Sequence, residues 1–156
     1  PPSMSKLKEY LLITQLPGGS LMAVLDRTMD GVPEAAARFS SDDGHSWSEI
    51  STLFKLPKEP GRWTLHNILL DHNGEIHLFY TNDAAGSAKT VQDLRNDIWH
   101  AKSTDGRRNW QAPRLVRKGF CGSLLSVVEL PSGRILRVST RRGYGAVATS
   151  IIYRDQ

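Results

Sequence analysis

Five arginines and three aspartates, Arg27, Asp30, Arg62, Asp83, Asp93, Arg95, Arg141 and Arg142, stand between the apolar runs of this sequence, with Tyr144 nearby. A planar guanidinium forms paired, charge-assisted bonds with a carboxylate. The formal charge of +4 and the pI near 9.4 would likewise suit an acidic ligand. The basic residues are scattered through turns and loops rather than gathered in a run, so no nucleic-acid partner is expected. Cys121 is the single cysteine, which excludes an internal disulfide. No base can be paired with it as a nucleophile, and it reads as a small buried residue beside Gly119 and Gly122. The histidines, His45, His66, His72, His77 and His100, lack close zinc-ligand spacing, so neither a metal site nor a cofactor is expected. No apolar stretch has the length of a membrane span, and none resembles a signal segment.

The elements that must position these residues recur. The octet from Ser40 to Trp47 returns 63 positions later, from Ser103 to Trp110. The first copy has the pattern Ser-x-Asp-x-Gly-x-x-Trp, through Ser40, Asp42, Gly44 and Trp47, and the second keeps Ser103, Asp105 and Trp110. Arg107 stands where Gly is expected, which predicts an adjusted corner around Gly106. An Asp in a tight turn accepts hydrogen bonds from backbone N–H groups a few residues on, and Gly supplies positive φ. The Trp buries a ring beside the turn while its N–H finds a partner. These octets are therefore expected to be structural corners. A calcium loop needs more oxygen ligands and a distal Glu, which neither octet supplies.

Upstream of each octet lie two apolar runs joined by a Gly turn. The turn glycines Gly19, Gly74 and Gly133 are 55 and 59 residues apart. A third strand, Glu34 to Phe39 or Asp97 to Ala101, runs into the octet, and a fourth follows at Ser48 to Phe54 or Gln111 to Arg117. Four antiparallel strands recurring at this period predict an all-β chain forming part of a β-propeller. One domain over 1–156 is expected, with blade units at about 8–56, 63–117 and 121–156, the third incomplete. A ring takes about four to eight blades. With no initiator Met, the chain is expected to be a fragment whose exposed blade faces would associate with the missing blades. With strands ordered from centre to rim, the octets lie on one face. The opposite face is built from 26–34, 55–64, 82–96, 117–123 and 141–146, which carry the arginines and acids above. The connection from Thr81 to Asn96 is read as a helical or irregular lid, in which Arg95 and Asp83 contact ligand or pair with each other.

The octets resemble the Asp-box, or neuraminidase repeat, of the sialidase superfamily. The stretch from Leu21 to Arg27 looks like the second strand of an early blade, and the stretch from Leu130 to Leu136 like a later hairpin. The resemblance implies a six-bladed propeller and an exo-acting hydrolase that removes terminal sialic acids with retention, through arginines on the sugar carboxylate, a Tyr nucleophile with a Glu partner, and an Asp acid/base. By it, Arg27 matches a substrate arginine and Asp30 lies near the expected acid/base Asp. Arg95, Arg141, Arg142 and Tyr144 are substrate-binding candidates. Arg141 and Arg142 could equally be a solvated strand end, and Tyr144 could stack on a sugar or pack a turn. The Arg-Ile-Pro motif of the family is absent, and the nucleophilic Tyr and its Glu belong to later blades, so the fragment alone is expected to be inactive. A secreted or periplasmic setting and a glycan or small-sugar partner are implied in the same way. The alternative is a non-catalytic Asp-box propeller that binds carbohydrate or protein.

Overall fold

The computed structural model describes residues 12–84, 95–105, 108–120, 124–140 and 146–150. The chain is all-β, and its described residues contain no helix long and apolar enough to cross a membrane. Three open antiparallel sheets follow one another along the sequence. The first holds β1 (Leu12–Gln15), β2 (Leu21–Met29), β3 (Val32–Ser40) and β4 (Ser51–Lys55) in that spatial order. The second holds β5 (Arg62–Leu70), β6 (Ile76–Asp83), β7 (Asn96–Ser103) and β8 (Arg114–Arg117), again in sequence order. The third has β10 (Ile135–Thr140) between β9 (Leu124–Glu129) and β11 (Ala146–Ser150).

Strand alternation explains how the sheets stack. On β6, Ile76, Leu78 and Tyr80 face the first sheet, where they pack with Met22, Val24, Ala35 and Ala37. Phe79, on the opposite face of β6, packs with Ile135 of the third sheet. β6 is therefore buried on both faces, and the second sheet is the middle layer. The first strands adjoin, β1 against β5 and β5 against β9. The hairpin turns line up too: Gly74 lies near Pro17, and Gly133 near His72. The His72 backbone N–H donates to Glu129 Oε2 at 2.9 Å, and its ring pairs with the same carboxylate, so this turn is tied to the third sheet.

Two boundaries differ from the sequence reading for identifiable reasons. Segment 26–34 is not an irregular loop: β2 and β3 pair out to Met29 opposite Val32, leaving only Asp30 and Gly31 as the turn. Both have positive φ, 51° and 74°, as a two-residue hairpin of Asp-Gly type requires. The fourth strands start later than expected, at Ser51 and Arg114. Octet bonds occupy the preceding residues: Ser48 N donates to Phe39 O (2.9 Å), and Gln111 N to Lys102 O (2.8 Å). Arg141, Arg142, Tyr144, Cys121, Asp93, Gly106 and Arg107 lie outside the described residues.

Candidate functional site

The octet corners lock themselves. Asp42 Oδ1 accepts from Ser46 N (2.9 Å) and Ser40 Oγ (2.8 Å), while Asp42 Oδ2 accepts from Ser46 Oγ (2.5 Å). Bonds from Ser46 and Ser40 hold the Asp42 carboxyl down at about 2. Ser40 Oγ in turn accepts from Gly44 N at 2.9 Å, where Gly44 has φ 86°. Trp47 Nε1 donates to Gly44 O at 3.1 Å, closing the corner. In the second copy Asp105 Oδ1 accepts from Arg108 N (2.8 Å), Asn109 N (2.9 Å) and Ser103 Oγ (3.1 Å), and Asn109 Nδ2 donates to Oδ2 (2.7 Å). Asn109 thus does the work of Ser46. Trp110 bridges Ser103 and packs on Phe54 with ring centroids 5.0 Å apart, which joins this corner to the first sheet.

At the other end of the sheets, away from both octets, a cavity of about 450 Å³ opens between the first and second sheets. Its lining includes Asp26 and Arg27 of β2, Gly31 of the hairpin turn, and Glu59, Arg62 and Trp63. Asp26 points across the gap, accepting a long bond from Leu65 N of β5 at 3.4 Å. Its pKa is raised by burial, against the lowering influence of the Leu65 bond, Arg62 and His66. His66, also half-buried, is pushed down by burial and bonds Thr81 Oγ1 at 2.8 Å. Behind Asp26 lies Tyr80, fully buried, whose hydroxyl has no hydrogen-bond partner among the described residues. Burial and the Asp26 charge both push the phenol well up.

The cavity floor is set by a tight approach. A Cβ on Gly61 would stand 2.5 Å from Asp83 O, and its φ is 122°. Beside it the buried Asn82 side chain bridges the strands, its amide nitrogen toward Pro60 O (2.9 Å) and its oxygen accepting from Trp63 Nε1 (3.2 Å). Trp63 meets Trp99 edge-on at 5.4 Å.

Strand periodicity separates residues that are adjacent in sequence. Arg27 borders the cavity, but its guanidinium is held within its own sheet, with Nε on Glu34 Oε1 at 2.6 Å and Nη2 on Thr52 Oγ1 at 3.3 Å. Asp30 is exposed at the hairpin tip and is not part of the lining. Arg95 pairs with Asp97 rather than with Asp83, and Asp97 also accepts from Gly119 N at 2.6 Å. The sequence reading missed Asp26 as a site residue. The available signal was the Asp-Gly turn at Asp30-Gly31, which extends β2 and makes Asp26, Met22 and Val24 share the face toward the second sheet.

A second polar cluster lies at the octet end of the second sheet. Ligand atoms of Asp71, Glu75 and His77 fall within 4.8 Å of one another, a grouping that histidine spacing did not anticipate. Asp71 Oδ1 accepts from Asn73 N (3.0 Å) and Glu75 N (2.8 Å), which shapes the turn. Lys102 Nζ lies 2.9 Å from Glu75, supplying the positive charge that such carboxylates would otherwise draw from a cation. His77 Nε2 lies 3.3 Å from Asp71 Oδ2, and His77 Nδ1 lies 2.9 Å from His100 Nε2.

Comparison of the chain with protein-family models gives no match, and comparison with curated proteins gives none either.

Proposed function

We propose that these sheets are successive blades of a sialidase-like propeller, and that the cavity between the first two takes part in binding and hydrolysing a terminal acidic sugar, sialic acid being the expected one. Support for the ring comes from the repeated four-stranded order, the adjoining first strands β1, β5 and β9, and the self-locked octets at matching corners. The observation that carries the functional reading is the cavity at the opposite end, where a cation, Arg62, and a half-buried carboxyl, Asp26, face one open volume. Arg62 can pair with a sugar carboxylate. Glu34 and Thr52 fix the plane of the Arg27 guanidinium at the margin.

Hydrolysis needs the whole ring, so the test uses the full-length protein with an aryl sialoside, beside Arg62→Ala and Arg27→Ala. Release of sialic acid that falls in the variants supports the reading. A folded protein that releases no sugar from sialosides or other aryl glycosides overturns it.

One observation favours a binding module instead. Arg27 and Arg95 are both engaged by acids of their own chain, Glu34 and Asp97. On that reading sialic acid binds without turnover, and an equilibrium titration separates the two cases.

A further inference from the structure

We propose that Asn82, a buried residue of β6 outside the cavity lining, is the positioning residue that holds Arg62 where an acidic ligand meets it. The inference rests on the acidic-sugar reading above, with or without turnover, and names the group that gives the cavity its preference for a carboxylate. Arg62 differs from the other arginines at this end in what fixes it. Arg27 is held by Glu34 and Arg95 by Asp97, whereas Arg62 is exposed and has no ion-pair partner among the described residues. A long side chain without such a partner is placed through its backbone, and fixing that backbone beforehand lowers the ordering cost of binding.

The residues on both sides of Arg62 are anchored to the end of β6. Asn82 lies opposite Trp63 in the β5–β6 ladder. Its side-chain nitrogen donates to Pro60 O at 2.9 Å and its oxygen accepts from Trp63 Nε1 at 3.2 Å, so one amide ties residues 60 and 63 to the same point of β6. Between them Gly61 lies against the β6 backbone, where an added Cβ would stand 2.5 Å from Asp83 O. Trp63 is fixed further by Trp99, edge-on at 5.4 Å. Arg62 thus stands between Gly61 and Trp63, both pinned, and borders the cavity with its charge acting on Asp26 across the gap. Position 82 must donate and accept at once. A carboxylate would lose the bond to Pro60 O, and an apolar side chain would leave two buried groups unpaired.

The test titrates the full-length protein with free sialic acid and with its methyl ester, which lacks the carboxylate charge. The unmodified protein is expected to favour the acid, and Arg62→Ala to remove most of that preference. Asn82→Ala, with Arg62 intact, is expected to lower the acid-over-ester affinity ratio about tenfold while ester binding changes little. Asn82→Ser, which keeps a hydroxyl for one of the two partners, is expected to fall between, and it carries the test where the alanine variant does not fold. In the double variant the ratio is expected to equal that of Arg62→Ala alone, because Asn82 acts through Arg62. A purely structural role would weaken acid and ester together. If folded Asn82→Ala and Asn82→Ser keep the ratio of the unmodified protein, or if the loss persists in the Arg62→Ala background, the assignment is wrong. If the unmodified protein binds acid and ester equally, or neither, the acidic-sugar reading itself falls and takes this assignment with it.

Discussion

His100 makes the stability of this fold acid-sensitive from about pH 6.5 downward, beginning above the range where ordinary carboxylates titrate. The ring is 3 % exposed, stacks near Phe79 with centroids 4.8 Å apart, and bonds His77, which bonds Asp71. With Asp71 accepting from His77 Nε2–H, His77 Nδ1 is an acceptor, so His100 Nε2 carries a proton and both rings are neutral. Burial, with the nearby positive charges of Arg114 and Lys102 and the repulsion that a protonated His77 would add, holds His100 down at about 3 against an ordinary 6.5. The folded value is depressed, so the unfolded chain binds the proton first as pH falls. Stability is full above about 6.5 and declines down to about 3. At ~1.4 kcal/mol per unit, the loss between pH 7.5 and 4.5 is roughly 2–3 kcal/mol. His77, also lowered chiefly by burial, adds in the same direction, while His72, raised by Glu129, opposes it. The His72 contribution cancels when the protein is compared with His100→Gln, whose amide can still donate to His77 and so keeps that ring's bond. Urea unfolding followed by tryptophan fluorescence at the two pH values measures each slope. Equal slopes in protein and variant would refute the reasoning.

Four further outcomes follow from named contacts. The Asp42 carboxyl should titrate at about 2 by NMR, so its octet contribution is complete above about pH 4 and lost as pH falls through about 2, whereas a midpoint at the ordinary 3.8 would mean that the Ser46 and Ser40 bonds are absent in solution. Leu78→Ala, at a fully buried site between the first two sheets, should cost about 2–5 kcal/mol in urea unfolding. Gly61→Ala should cost about 1–3 kcal/mol, because its Cβ would meet Asp83 O at 2.5 Å and its φ is 122°. Asp97→Asn should weaken both the Arg95 pair and the Gly119 bond, seen as faster amide exchange at Gly119.

The repeat was legible because octets and Gly turns are local chemistry. The hydrogen bonds of Asp42 and Asp105 span four residues or fewer, so sequence alone carries them. Strand ends were less legible. Asp30-Gly31 is an Asp-Gly pair with two positive φ values, yet reading 26–34 as a loop concealed it. That choice also hid the side-chain alternation which puts Arg27 on Glu34 and turns Asp26 toward the second sheet. The cavity was not legible at all, since Asp26 and Arg27 of the first sheet come to face Arg62 and Trp63 of the second only through the stacking of separate sheets. The Asp71, Glu75 and His77 cluster was missed for a different reason. It combines a turn acid with the start of the next strand, and a search by histidine spacing passes over such a set.

The most direct test of the account is sialic acid release by the full-length protein, measured by NMR on an aryl sialoside beside Arg62→Ala. The account predicts release by the unmodified protein with retention at the anomeric carbon, and a large loss in the variant. Folded protein that neither releases nor binds the sugar, or that acts equally well without Arg62, would contradict it.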